Sequence, residues 1–250
     1  MKTLVSILCV FATLSNAWAG GSLTIAASSG DNIDYGSATN LDNIPQGTSM
    51  IWTKLSSVAN GLGCPFDKGA FGSDIGVRCF KRGADGTSMN CQVNRATSDY
   101  QTQTPTAYLD TTAWMFLAYT WDISGNTVPK LYKGTATSAV VLSTSGAVGS
   151  GAQLDDSAYS LEVGNNDDTN ADAWPGSIAF FAQYNKVLTL AELQEQQYHP
   201  YVSTGCVVWS YYGAGLGTQI DRSGTGNNGT ITTATDGADS APISMTGGDI

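Results

Sequence analysis

Histidine is almost missing from this chain: His199 is the only one among 250 residues. Glutamate occurs only at Glu162, Glu192 and Glu195. Charged residues make up 13%, and Lys and Arg number 11 against 21 Asp and Glu, a formal net charge of −10. A lone histidine beside Pro200 excludes His-based nucleophile activation and a His-rich zinc set. No G-x-S-x-G elbow is present either. The shortage of basic residues argues against nucleic acid and anionic membrane as partners, since both need clustered positive charge. No apolar run is long enough to cross a bilayer, so membrane insertion is not expected. Strong helix formers are scarce, and one stretch alone, Leu190 to Tyr198, has helical character. Thr189 before it and Glu192 three residues later form a capping-box pattern.

Glycine, threonine, serine and asparagine abound instead. They separate short runs of apolar and β-branched residues at about 22–27, 32–35, 48–54, 75–80, 88–94, 114–121, 129–133, 159–163, 176–184 and 206–211. Strands in close succession with almost no helix predict a sandwich rather than alternating strand and helix. The segment Trp114 to Trp121 is apolar at both phases of a two-residue period, so both its faces should be covered. A Ser124-Gly125-Asn126 turn and the run Lys130 to Lys133 complete a hairpin, with Leu131 facing one way and Lys130 and Tyr132 the other.

The first residues have the pattern of a secretory leader: Lys2, an apolar core from Leu4 to Leu14, and Ala17-Trp18-Ala19 as the cleavage site. Residues 1–19 are therefore expected to be a signal peptide, and the mature protein to be secreted. Removing the leader removes Cys9 and leaves Cys64, Cys79, Cys91 and Cys206 in an oxidising setting. Four cysteines allow three pairings. If the stretch around Asp85-Gly86 is the turn of a hairpin, Cys79 and Cys91 sit near-opposite and can bridge across it, with Cys64 then left for Cys206.

Trp114, Ala118, Thr120, Trp121, Asp122, Gly125, Leu131, Tyr132 and Gly134 carry a pattern seen elsewhere. Downstream come Leu161-Glu162-Val163-Gly164, then Trp174-Pro175-Gly176-Ser177-Ile178, Tyr184, and Leu188-Thr189-Leu190-Ala191-Glu192-Leu193. Upstream lie Asp34-Tyr35-Gly36, Ser49 to Lys54, and Lys68-Gly69. In this order, over about residues 31–195, they resemble laminin-G-like, concanavalin A-like domains. The resemblance implies an all-β fold: a two-sheet antiparallel jelly-roll sandwich with one short helix near the C-terminal third, spanning 20–232. Asp221 to Thr230 (DRSGTGNNGT) is similar to the phrase that opens such domains, yet here it lies near the end. A permuted order, with 205–232 supplying the usual first strand, accounts for this. The start of a truncated second repeat is the alternative. Residues 233–250 have the composition of a Gly/Thr-rich tail.

The resemblance also directs attention to ligand residues. Trp174, with Tyr211 and Tyr212, and less so Tyr108, are candidates for stacking on sugar rings, with Asn165 binding hydroxyls. The competing reading of Trp174 is a core residue. Relatives often bind calcium at such loops, and Asn166, Asp167, Asp168 and Asp172 are the expected ligands, with Asp67 and Asp74 as neighbours. Asn and Asp density also marks ordinary turns. The E-x-D-x-x-E strand of concanavalin-like glycan hydrolases is missing, and Glu162 is expected to face outward alone. The expected function is therefore non-catalytic recognition of extracellular carbohydrate, calcium-assisted. A structural or adhesion module binding a surface protein is the second reading, and a glycan-active hydrolase or lyase the third.

Overall fold

The computed structural model describes residues 21–26, 30–58, 62–70, 73–82, 86–166, 172–213 and 216–243; the leader at 1–19 lies outside them. The strands are β1 (Ser22–Ile25), β2 (Asn32–Asp34), β3 (Gln46–Leu55), β4 (Phe66–Lys68), β5 (Val77–Arg82), β6 (Ser88–Val93), β7 (Tyr100–Gln103) and β8 (Met115–Asp122). They continue as β9 (Thr127–Thr135), β10 (Val141–Ser145), β11 (Leu161–Val163), β12 (Gly176–Tyr184), β13 (Cys206–Tyr211), β14 (Thr218–Gln219), β15 (Gly229–Thr232) and β16 (Thr235–Gly237). The helix α1 spans Leu190–Tyr198. Two 8-stranded sheets result: β10-β9-β8-β3-β12-β1-β16, with β13 also on β12, and β14-β15-β2-β11-β4-β5-β6-β7. The paired strands are antiparallel, and the fold is a two-sheet jelly-roll sandwich.

The inner faces meet over Ile33, Ile51, Val77, Cys91, Leu117, Leu131, Val163 and Phe181. The first sheet buries its other face as well. Trp52, Phe116, Tyr132, Phe180 and Trp209 pack there with Leu188 and Leu193. This is why β8 is apolar at both phases: Leu117 and Tyr119 enter the inner core, Phe116 and Ala118 the outer one. Leu131 and Tyr132 divide the same way.

The outer layer is held by α1. Thr189 accepts the Glu192 N–H, and the Glu192 carboxylate accepts the Thr189 N–H at 2.7 Å, the reciprocal capping box. On its buried side, Gln197 accepts the Val140 N–H at 2.6 Å and donates to the carbonyls of Thr135 and Ser138. The indole of Trp52 donates to the Gln197 carbonyl at 2.6 Å. A buried amide with all these partners locks α1 to the β9–β10 connection.

The second edge of β12 is shared. β13 pairs with Phe180 to Tyr184, and β1 pairs with Gly176 to Ile178. The two strands abut so closely that a Cβ on Gly21 would lie 2.5 Å from the Gly213 Cα. The C-terminal segment thus supplies β13 and β16 to one sheet and β14 and β15 to the other. Within the expected tail, β16 pairs with β1, and Ala241 and Ile243 are buried.

Cys79 and Cys91 sit in register across β5 and β6 and are bonded, with Cα atoms 4.0 Å apart. The expected Cys64–Cys206 bond is not formed. Cys206 pairs with Tyr184 at one end of β12, whereas Cys64 bridges Ala173, just before the other end. They are a strand length apart, roughly 25–30 Å, far beyond the about 7 Å that a disulfide allows.

Candidate functional site

β11 ends at Val163, and Gly164 turns the chain with a φ of +91°, a conformation that favours glycine. The loop that follows is closed at its neck by asparagines. Asn165 Oδ1 accepts the N–H groups of Asn166 at 2.9 Å and Asp172 at 3.0 Å. Asn166 Oδ1 accepts the Asp172 N–H at 3.2 Å. Both oxygens expected to bind a sugar hydroxyl or calcium are thus engaged with the loop's own backbone, the turn chemistry of asparagine. Asp167 and Asp168 lie outside the described residues, and Asp172 is half-buried. Among the described residues, no three His, Cys, Asp or Glu side chains converge on a cation position. The described part of the loop therefore does not offer the six or more oxygens that calcium takes.

Trp174 corrects the stacking expectation. Its ring is fully buried in the inner core, and its indole N–H donates to Thr53 Oγ1 at 2.6 Å. The polar loop before it implied exposure, but the N–H finds a partner inside. Tyr212 is likewise fully buried, its hydroxyl 2.6 Å from that of Tyr35. Tyr108 is buried too. None of the three presents a ring face to solvent.

Tyr211 differs. It ends β13 half-buried, pointing opposite to Tyr212 along the strand. The chain then returns along β13: the Arg222 N–H donates to the Trp209 carbonyl at 2.8 Å, and Ser210 Oγ donates to the Ile220 carbonyl at 3.2 Å. The return is anchored by Asp221, whose carboxylate accepts from the N–H groups of Trp209, Ser223 and Asn227 and from the hydroxyls of Ser223 and Thr225. A shallow cleft of about 190 Å³ opens between this return and the strand, lined by Tyr211, Leu216, Thr218, Gln219, Ile220 and Arg222. Leu216 and Ile220 are 57% and 60% exposed. The Tyr211 hydroxyl is shielded from water without a hydrogen-bond partner, and burial pushes its pKa up, so it remains a neutral O–H. The cleft offers an aromatic face, apolar rims, a hydroxyl and a guanidinium: contacts for a ring-shaped polar ligand, and no acid–base pair.

The outer face of the second sheet carries a feature that the motif search passed over. The register aligns Asp34, Glu162, Asp67, Arg78 and Gln92 on consecutive strands. Their chain neighbours Ile33, Leu161, Phe66, Val77 and Cys91 enter the core, so this row points away from it. Glu162 does face outward as expected, but it is buried, as are Asp67 and Arg78. Arg78 pairs with Asp74 at 2.6 Å. With the Gln92 amide turned toward it, Gln92 Oε1 accepts from Arg78 at 2.9 and 3.2 Å. Carboxylates side by side would suit glycoside hydrolysis, but their burial keeps a substrate away from them. The alternation Val77-Arg78-Cys79-Phe80 and Met89-Asn90-Cys91-Gln92 is the signal that marks this row.

No protein-family model matches the chain, and no curated protein matches it in sequence. Solved structures do. A candidate carbohydrate-binding protein from Bacteroides ovatus superposes with a TM-score of 0.58 at 13% identity, over 91% of this chain and 61% of its own length. The chain thus spans less than two thirds of that protein. The CBM40 of the Ruminococcus gnavus IT-sialidase, bound to α2,3-sialyllactose, matches with a TM-score of 0.49 at 17% identity, covering 69% of this chain and 94% of its own. The heptameric SAP-like pentraxin of Limulus polyphemus gives 0.48 at 11% identity, over 71% and 82%. At these identities the likeness is one of fold, a two-sheet jelly-roll sandwich, and the first match carries it.

Proposed function

We propose that this chain is a secreted, non-catalytic module that recognises extracellular carbohydrate. The observation that carries this reading is the Tyr211 cleft, where a half-buried aromatic ring borders a shallow, open space of about 190 Å³ with Thr218, Gln219 and Arg222. Sugars present a C–H face that packs on an aromatic ring and hydroxyls that pair with polar side chains. The fold likeness to a candidate carbohydrate-binding protein supports the same reading. Secretion rests on the leader pattern at 1–19. Calcium assistance rests on Asp167, Asp168 and Asp172, since the Asn165 and Asn166 oxygens are engaged elsewhere.

Binding of the purified protein to a broad glycan panel tests the proposal. One sugar class should bind, and Tyr211→Ala should weaken it about tenfold, equivalent to about 1.4 kcal/mol, in protein that remains folded. Binding that survives Tyr211→Ala intact would remove the cleft from the account. A protein-binding role is the second reading, favoured by β10, an edge strand whose Val141 and Leu142 are 55% and 47% exposed.

A further inference from the structure

We infer that the Tyr211 cleft selects glycans bearing an anionic group, a carboxylate or a sulfate ester, through the guanidinium of Arg222. The inference rests on the carbohydrate reading of the same cleft and names its ligand class.

Arg222 is the one charged side chain lining the cleft, in a chain with 21 acidic residues. Four of the other cations form ion pairs: Lys54 with Asp239, Lys68 with Asp42, Arg78 with Asp74 and Lys186 with Glu192. Arg222 enters no ion pair among the described residues and is exposed. Its own neighbour, Asp221, does not compensate it. Both Asp221 oxygens accept from groups at Trp209, Ser223, Thr225 and Asn227. The backbone beneath Arg222 is fixed by its N–H bond to Trp209. The result, among the described residues, is a guanidinium without an ion pair, carried on a fixed backbone in the cleft that Tyr211 also lines.

A guanidinium fork matches the paired oxygens of a carboxylate or a sulfate and holds them bidentately. The net charge of −10 opposes anions at long range. At physiological salt, however, the screening length is about 8 Å, so a contact with Arg222 outweighs distant acids.

The test is a printed panel of neutral, uronate-bearing and sulfated oligosaccharides at matched density, followed by calorimetry on the strongest binders. Wild type, Arg222→Gln and Tyr211→Ala are compared. Wild type should prefer anionic over neutral glycans of the same backbone by about tenfold or more. Arg222→Gln should abolish that preference, anionic-glycan binding falling to the level of neutral glycans, with the melting temperature unchanged. Comparing the uronate and sulfate arms identifies which anion is read. Equal or tighter binding of neutral glycans, or a preference that survives Arg222→Gln, overturns this inference alone when Tyr211→Ala still weakens binding. No binding of any panel member overturns the carbohydrate reading with it.

Discussion

Asp221 shows how one side chain positions the cleft. Its carboxylate gathers five donors, and two of them, the Trp209 and Asn227 N–H groups, are buried. Removing it leaves those donors unpaired, and each such loss costs about 1–3 kcal/mol. Asp221→Ala should therefore lower the unfolding free energy in urea by about 3 kcal/mol, and Asp221→Asn by less, since one oxygen remains. An Asp221→Ala protein as stable as wild type would mean that the return along β13 is held by other contacts. The same residue illustrates what sequence alone conveys. The DRSGTGN phrase was recognisable as a unit, but nothing in it shows that it folds back over β13 and makes a cleft. Trp174 marks the opposite limit. Its polar neighbourhood suggested a rim position, and only the partner Thr53, 121 residues away, reveals why an indole N–H is satisfied inside.

Local elements were the most legible. The helix spans the residues its pattern predicted, because Thr189 and Glu192 form a cap that depends on near neighbours only. The Glu192 carboxyl is held below its usual value first by the Thr189 N–H, with Lys186 assisting. A carboxyl with a lowered folded pKa stabilises above its unfolded value of 4.5 and loses that contribution as pH falls through the folded value. Glu192→Ala should thus cost up to about 1 kcal/mol at pH 7 and progressively less below pH 4.5, as melting temperatures across pH 2–7 would show. A penalty independent of pH would contradict the reciprocal cap. Long strands with a clear apolar run or alternation, β3, β8, β9 and β12, were equally readable. Those missed were β4, of three residues between Pro65 and Gly69, the polar β7, the exposed β10, and β14 to β16. Each is too short or too polar to show a period, and exists because a neighbouring strand offers an edge. The Cys79–Cys91 bond was predictable from its hairpin. The Cys64–Cys206 pairing was not testable by counting, because separation along β12 is a tertiary quantity.

Across the whole molecule, the C-terminal segment is what the sandwich is closed with. β13 and β1 divide one edge of β12 between them, and β15 pairs with β2 in the other sheet. The termini of the domain therefore meet within both sheets, the arrangement a permuted order requires. A chain ending at residue 203 should lose cooperative unfolding, since it exposes the edges of β12, β1 and β2 and uncovers Phe180. A sharp, unchanged transition for that truncation would show the segment to be an accessory. The same segment builds the cleft, so fold closure and ligand recognition depend on one stretch of chain. The most direct measurement is residue-resolved NMR titration of the folded protein with the strongest glycan from the panel. The account predicts shifts concentrated at Tyr211, 216–220 and Arg222. Shifts gathered instead at the 165–172 loop or along β10, with Tyr211 and Arg222 silent, would contradict it.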